Sequence, residues 1–359
     1  MRLSRLSAAL VFTVALPLAA CGAPDQTSQA PGAPSSATAP AVPGVFTRAQ
    51  IEAAVPAAVP TTPSSPTTEP ATGQTPPTTP PDAGMIRLQV LLDRSAFSPG
   101  QIDGLHGENT RQAIAAYREA KNLGTGDLAD AALLQSLAAA DNGPVTADYV
   151  LTQADVSGPF SPAPNGEDLA AQAANGTNFT TARERIAERF HISEILLQAL
   201  NPGVDFTRAG QTLIVPVLRD APLPAVDHIE VNKAERAVRA FDASGTLIAF
   251  YPATIGSGDN RSPSGNLTVV GVAPEPDYLY DPSRLTFGKD GPKVTVPAGP
   301  NNPVGTVWID LSRDTYGIHG TPDPSKIGKT ASHGCVRLTN WDAEQLAAAV
   351  KPGVAVRFV

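Results

Sequence analysis

The residues with the clearest potential for chemistry lie near the C-terminus, in the stretch IHGTPDPSKIGKTASHGCVRL. Cys335 is one of two cysteines in the 359-residue chain, with His333 two positions and His319 sixteen positions before it. A cysteine reacts as its thiolate, and at an ordinary pKa of about 8.5 only a small fraction is ionised near neutral pH. Because an imidazole within hydrogen-bond reach can accept the proton, the stretch predicts a nucleophilic cysteine with a histidine base.

Either histidine can serve as that base. On extended backbone His333 and Cys335 leave the same side of the chain, whereas His319, at the end of the preceding predicted strand, approaches from across the site. Gly334 lets the chain turn sharply and brings the N–H groups of Gly334 and Cys335 towards a developing oxyanion. Arg337 offers a guanidinium fork for a carboxylate. These residues alone leave the choice of base open.

A zinc site is the alternative chemistry, because His319, His333 and Cys335 are all residue types that bind zinc. They supply only three ligands, and the sequence contains no C-x-x-C pair. A zinc-bound cysteine would also lose its role as a nucleophile. We therefore expect neither a metal nor a cofactor.

The N-terminus has the order of a secretory signal. MRLSRLSAALVFTVALPLAAC runs from two arginines through an apolar stretch to small residues before Cys21. The apolar part, interrupted by Pro17, is shorter than the ~20 residues of a membrane-spanning helix. LAAC resembles the lipobox of bacterial lipoproteins, which implies removal of residues 1–20 and lipidation of Cys21; a plain secretion signal is the alternative. We expect an exported protein, anchored by its N-terminal lipid to a membrane of the cell envelope and facing the periplasm.

Lipidation of Cys21 would leave Cys335 without another thiol with which to pair. Export takes the chain to a compartment that permits disulfides, where an unpaired cysteine indicates a reactive thiol. A buried cysteine that packs as a small apolar residue is the alternative.

Composition divides the rest of the chain into linker and folded modules. Residues 21–84 are rich in Pro, Thr, Ser and Ala, and such a segment buries too little apolar surface to offset its ordering entropy. We predict a disordered tether there, behind the lipid anchor. The formal net charge of −8 argues against a nucleic-acid partner, which requires a basic surface.

Residues 85–140 predict a small helical domain. LQVLLDRS and TRQAIAAYREA place apolar residues at helical spacing on either side of a turn-rich stretch, and a third helix closes the unit. The L-Q-x-x-L opening, the I-D-G turn and the T-x-x-A-I-x-x-Y helix resemble the three-helix peptidoglycan-binding domain. A generic helical spacer is the alternative.

Residues 148–219 predict a small α+β module of strand, helix, helix and strand. The helix caps are expected at Thr180 or Thr181 and at Ser193. The second helix is expected to stop at Asn201–Gly203, and the last strand is expected at Leu213–Val215. The ending N-P-G … G-Q-x-L-x-V-P resembles the LysM module and implies glycan strands as a partner. The opening turn of that family is missing, and the expected first strand, Tyr149–Thr152, lies far from the helices.

Residues 226–359 predict a mainly-β domain, because short alternating strands are separated by Gly, Pro and Asn turns and one short helix precedes the last strand. The chain is therefore expected to be multidomain, with a small helical domain and a small α+β module before a mainly-β, β-sandwich-like domain.

The C-terminal stretch resembles the H-G-T … I-G … S-H-G-C-[IV]-R-L signature of the L,D-transpeptidase (YkuD-like) catalytic domain. SPSG at 262–265 is similar to the T-P-x-G turn of that family, with Ser262 in place of Thr. The resemblance implies that Cys335 is the nucleophile and that His319 is the proton acceptor and donor. It also implies that Ser332, His333, Gly334 and Gly320 support the oxyanion and the surrounding loops, and that the carbonyl of Gly320 orients His319. Substrate contacts are implied for Arg337 and Thr321.

The resemblance also implies a reaction. Cys335 attacks the carbonyl of the third residue, a diamino acid, in a peptidoglycan tetrapeptide stem, and D-Ala leaves behind a thioester. An amine then resolves the thioester into a 3→3 cross-link or attaches a protein to the wall, whereas water as acceptor would give an L,D-carboxypeptidase. A lipoprotein that tethers membrane to wall through an inactive domain is the non-catalytic alternative.

Overall fold

The structure is a computed structural model that describes residues 45–56, 80–163, 168–219, 221–256, 262–284, 292–332 and 334–359. The predicted signal peptide, the lipidation site Cys21 and His333 lie outside these residues, as does most of the predicted linker. Within the described ranges, no helix has the length and apolar character needed to cross a bilayer.

The helices begin where short polar side chains accept hydrogen bonds from backbone N–H groups of the first turn. Two of the predicted caps are confirmed, since Thr181 Oγ1 accepts from Glu184 N at 3.0 Å and Ser193 Oγ from Leu196 N at 3.2 Å. The α-helices of the described ranges are α1 (Arg48–Ala53), α2 (Ala83–Arg94), α3 (Glu108–Ala120), α4 (Ala131–Ala140), α5 (Gln153–Val156), α6 (Leu169–Asn175), α7 (Ala182–Arg189), α8 (Glu194–Leu200) and α9 (Asn340–Ala349).

The α+β module contains a two-stranded antiparallel sheet of β1 (Thr146–Val150) and β2 (Thr212–Pro216). Its first strand begins earlier than the predicted Tyr149–Thr152 and ends at Val150. The difference has a local cause, because Thr152 caps α5 by accepting a hydrogen bond from Asp155 N. Helices α5 and α6 then lie between β1 and α7, which explains the long distance in sequence.

The C-terminal module is mainly β, as predicted. Its eight-stranded mixed sheet has the order β11-β10-β9-β6-β12-β3-β4-β5, and β7 and β8 form a separate antiparallel pair. The strands are β3 (His228–Asn232), β4 (Ala237–Phe241), β5 (Leu247–Pro252), β6 (Gly265–Pro274), β7 (Tyr278–Tyr280), β8 (Val294–Val296), β9 (Val307–Leu311), β10 (Gly317–His319), β11 (Val336–Arg337) and β12 (Ala355–Phe358).

This sheet is curled, and the chain that follows β5 at one edge reaches β11 at the other edge. The first half of β6 pairs with β12 and the second half with β9, with a register shift between Val269 and Gly271 that bends the sheet. Beyond β5, Thr254 exchanges two backbone hydrogen bonds of 2.9 Å with Arg337 of β11. The predicted β-sandwich-like arrangement takes the form of a single curled sheet, in which one long bent strand belongs to both halves.

The modules share apolar surface and lie in one compact unit. Phe97, after α2, packs edge-on against Tyr117 of α3 and in the same core as Phe250 of β5. Ser98 N donates to Phe250 O at 2.8 Å, and Phe250 N donates to Ala96 O at 2.9 Å. The chain after α2 thus covers the edge of β5, which would otherwise present unpaired backbone groups.

The prediction of a disordered tether over residues 21–84 is wrong for residues 45–56 and 80–84, which are part of the fold. Thr47 and Gln50 form a capping box at the start of α1, and Ile51 is fully buried in the core that contains α2. The Glu52 carboxylate accepts hydrogen bonds from Val145 N and Thr146 N at 2.9 and 2.8 Å. One short amphipathic helix is thereby held in the fold by contacts distant in sequence.

Replacing Ile51 by Ala is expected to lower the free energy of unfolding by about 2–5 kcal/mol, because it removes a fully buried side chain and leaves a cavity. Urea denaturation of the full-length chain measures the change. Val55→Ala is the matched control, since Val55 is 69% exposed. Equal stabilities of the two variants would contradict a structural role for α1.

Candidate active site

The pairing of β10 with β11 places the candidate catalytic side chains together. The two strands are parallel, with Ile318 opposite Val336 and His319 opposite Arg337. Paired residues, and residues two positions away, project from the same face of a sheet. Cys335, immediately before β11, therefore shares a face with His319 and Arg337. When this register is extended by one residue beyond β11, Cys335 and His319 occupy diagonal positions across the strand pair.

His319 is buried and held in one tautomer. Its Nδ1 lies 2.7 Å from the carbonyl oxygen of Gly320, which is the contact implied by the family resemblance. Because a carbonyl only accepts, Nδ1 carries the proton and Nε2 is left as the acceptor. The ring also stacks on Trp308, with centroids 5.3 Å apart. Burial, and then the charge of Arg337, lower the pKa of His319 to about 3, so the imidazole is neutral near pH 7.

Cys335 is half-buried, and its thiol donates to the carbonyl oxygen of Thr315 at 3.5 Å. Burial raises the pKa of the thiol above its ordinary value, while the backbone N–H of Gly317 and the charge of Arg337 offset part of the rise. The resting pair therefore consists of a neutral thiol and a neutral imidazole. In this state the thiol must lose its proton before the sulfur can act as a nucleophile.

Two serines hold the chain around Gly334. Ser332 Oγ accepts from Gly334 N at 3.1 Å and donates to Cys335 O, whereas Ser262 Oγ accepts from Gly256 N at 3.0 Å and donates to Gly334 O at 2.6 Å. The N–H of Gly334, predicted from sequence to face an oxyanion, is thus engaged within its own loop. Gly334 has a φ of +124° and lies against the Tyr316 ring, so the position favours glycine.

Sequence reasoning missed Ser262 as a supporting residue, although the S-P-S-G turn was a local signal. It also missed Asn340, whose Oδ1 accepts from Thr321 N at 3.0 Å and Thr306 N at 3.3 Å. Gly320 packs so closely on Asn340 Oδ1 that a Cβ at this position would clash. Asn340 thereby fixes the loop that carries the carbonyl partner of His319.

Of the two residues predicted to contact substrate, Thr321 is buried and Arg337 is half-buried. Thr321 Oγ1 accepts from Asp323 N at 3.2 Å, so the described contacts of its hydroxyl are within the loop. The charge of Arg337 acts on His319, Cys335 and Tyr278. The substrate contacts of both residues stay predictions.

Tyr278, on β7, is a further neighbour that the sequence did not indicate. Burial raises the pKa of Tyr278, and the nearby Cys335 raises it further. Tyr278 of β7 therefore lies near the thiol. Only tertiary structure brings Tyr278 there, because nothing in its local sequence distinguishes it.

The described residues contain no group of three or more His, Cys, Asp or Glu side chains placed to hold a metal ion. His333, one member of the zinc alternative, is outside them.

Comparison with known proteins relates the C-terminal module to one family. Residues 226–357 match the family model of the YkuD L,D-transpeptidase catalytic domain. The chain is 31% identical to an L,D-transpeptidase YkuD of Bacillus licheniformis over 175 residues, which is 48% of this chain and 90% of the relative. It is 32% identical to an L,D-transpeptidase ErfK/SrfK of Salmonella typhimurium over 206 residues, which is 55% of this chain and 66% of the relative.

Among solved structures, an L,D-transpeptidase from Xylanimonas cellulosilytica matches with a TM-score of 0.33 and 14% identity, over 77% of this chain and 92% of that one. At this TM-score the similarity adds no weight. The sequence relatives suffice, and the chain belongs to the L,D-transpeptidase family. It is an enzyme, a cell-wall L,D-transpeptidase with peptidoglycan stem peptides as substrates. The family model leaves the two preceding modules outside its range.

Replacing Ser262 by Ala is expected to lower the free energy of unfolding by about 1–3 kcal/mol, because Gly256 N and Gly334 O lose their shared partner. The acylation rate of Cys335 by a carbapenem should also fall, since Gly334 precedes the thiol. Denaturation and mass spectrometry measure the two effects. Ser262→Thr keeps the hydroxyl and should restore both, and Ser264→Ala, on the same turn, should change neither. An unchanged Ser262→Ala variant would contradict the support assigned to this serine.

Proposed function

We propose that Cys335 and His319 perform the transpeptidation through a thioester on Cys335. The observation that carries the proposal is the parallel register of β10 and β11, which aligns the face of His319 with that of Cys335. A neutral imidazole with its proton on Nδ1 supports the same assignment, because only the unprotonated Nε2 can accept the thiol proton.

In the acylation step, Nε2 of His319 takes the thiol proton while Sγ of Cys335 attacks the carbonyl carbon of the third stem residue. The tetrahedral intermediate then collapses, the bond to the D-Ala nitrogen breaks, and Nε2 returns the proton to that nitrogen. D-Ala leaves and the stem is held as a thioester.

In the second step, an amine attacks the thioester carbonyl and gives its proton to Nε2 of His319. The carbon–sulfur bond breaks, an amide forms, and the proton returns to the sulfur of Cys335. We propose an amine on a second stem or on a protein as the acceptor; water in its place would make the enzyme an L,D-carboxypeptidase.

We assign the supporting roles from the same surroundings. Ser332 and Gly334 hold the backbone before Cys335, and His333 belongs to the same loop. Arg337 acts electrostatically on both reacting groups, so a stem carboxylate bound near it would also lie near the thiol. Thr321 shapes the loop of Gly320 and is proposed as a second substrate contact.

We further propose that residues 85–140 form a peptidoglycan-binding-like unit and residues 148–219 a LysM-like unit that approaches glycan strands. The order α2, α3, α4 supports the first proposal. The elements β1, α7, α8 and β2, with α5 and α6 inserted after β1, support the second. The lipobox-like LAAC motif supports export, a lipid on Cys21 and attachment to the envelope. The folded residues 45–56 shorten the tether available between that anchor and the enzyme.

Incubating the full-length chain carrying Cys21→Ser, whose one remaining thiol is Cys335, with a disaccharide-tetrapeptide tests the reaction. Intact mass spectrometry should show an acyl-enzyme and a dimer lacking one D-Ala. Cys335→Ala should abolish both, and His319→Ala should slow acylation by roughly 10²–10⁴-fold. Loss of D-Ala without a dimer would assign water as the acceptor. Undiminished acylation in either variant would refute the assigned pair.

A further inference from the structure

Helix α7 of the LysM-like unit reaches the catalytic module through Glu188, a half-buried glutamate. Glu188 Oε2 accepts a hydrogen bond from Asn340 Nδ2 at 3.0 Å, across 152 positions of sequence. Its other carboxylate oxygen, Oε1, is buried without a hydrogen-bond partner. A polar side chain kept in such surroundings is costly, and its contact with Asn340 is the described interaction that offsets part of the cost.

Asn340 is the amide already described beside the candidate base. Its Oδ1 accepts from Thr321 N and Thr306 N, whereas its Nδ2 donates to Glu188 Oε2 and to Pro300 O at 3.2 Å. Exchanging the two ends of the amide would set donors against N–H groups and an acceptor against the oxygens of Glu188 and Pro300. Glu188 therefore helps to fix the orientation in which Asn340 can accept from the His319 loop.

The connection continues from Asn340 to the imidazole in two short steps. Asn340 Oδ1 holds Thr321 N and lies in contact with Gly320. The carbonyl of Gly320, in turn, accepts the Nδ1 proton of His319 at 2.7 Å. A shift of Asn340 would move the group that sets both the tautomer and the direction of His319.

We propose that Glu188 is a positioning residue for the transpeptidase, holding Asn340 so that the Gly320 carbonyl orients His319. The inference rests on the proposed roles of Cys335 and His319. Its consequence is that a helix outside the catalytic module completes the site, so the LysM-like unit contributes to the chemical step as well as to any approach to glycan.

The chain provides a matched control one helical turn earlier. Glu184 lies on the same face of α7, and its Oε1 accepts from Asn301 Nδ2 at 2.8 Å, so it also joins α7 to the catalytic module. The described contacts of Glu184 reach Asn301 and Thr180 and do not include Asn340. Loosening of the two modules should follow from changing either glutamate, whereas misplacement of His319 should follow only from changing Glu188.

A conservative variant is also available. Burial raises the pKa of Glu188 to about 8, despite the opposing hydrogen bond from Asn340, and the charges of Glu184, Glu344 and Glu194 raise it further. A glutamine is close in shape to the protonated acid and keeps an oxygen that can accept from Asn340 Nδ2. Glu188→Gln should therefore rescue what Glu188→Ala removes.

The experiment measures the acylation rate of Cys335 by a carbapenem in the full-length chain carrying Cys21→Ser, well below the unfolding temperature. Glu188→Ala should slow acylation by roughly 10- to 100-fold, because small misplacement of a catalytic group is costly. Glu188→Gln and Glu184→Ala should stay within about threefold of the parent. The double variant Glu188→Ala/Asn340→Ala should be no slower than Asn340→Ala alone, because the two residues act in one connection.

Several results would overturn the inference. These are an unchanged rate in Glu188→Ala, an equal loss in Glu184→Ala, or full additivity with Asn340→Ala. If Glu188→Ala does not fold, Glu188→Asp, which retracts the carboxylate by one methylene, must show the slowing instead. Absence of acylation in the parent protein is a different result, because it would refute the proposed function of Cys335 itself.

Discussion

The hydrogen bond from Nδ1 of His319 to the carbonyl of Gly320 is the interaction on which the site depends. A carboxylate partner would favour the imidazolium, whereas a carbonyl fixes the tautomer without adding a charge. Burial of the ring and the neighbouring charge of Arg337 lower the pKa of His319 to about 3. The result is a ring that is neutral near pH 7 and carries its proton on Nδ1.

Much of the surrounding structure keeps this bond in place. Trp308 of β9 stacks on the ring of His319. On the other side of β10, the strand that carries His319, β11 pairs with it in parallel. Asn340, at the start of α9, holds the loop that supplies the Gly320 carbonyl. The curl of the sheet brings the chain after β5 to β11, and there Ser262 bridges Gly256 and Gly334. The setting of the neutral His319 ring thus depends on the curled sheet and on α9.

Sequence patterns were sufficient for the features that depend only on neighbouring residues. The spacing of His319 and Cys335, the caps at Thr181 and Ser193, and the strand texture after residue 226 required only short windows of sequence. The position of α1 was missed because its few apolar contacts, from Phe46 and Ile51, lie in a short segment flanked by linker-like sequence. The closure of the sheet depends on pairing between Thr254 and Arg337, which no alternation pattern encodes. Asn340, Glu188 and Tyr278 gain their importance from distant partners, and a single sequence carries no signal for such pairs.

The measurement that tests the central claim most directly is ¹⁵N NMR of the His319 imidazole in the full-length chain, recorded from pH 4 to pH 8 and assigned with His319→Gln. A pKa of about 3 predicts a neutral ring across this whole range, with a protonated Nδ1 and an unprotonated Nε2 at every pH. Because burial disfavours the charged form, protonation of the ring should be confined to pH values below this range. A ring that titrates near pH 6.5, or one that carries its single proton on Nε2, would contradict the account.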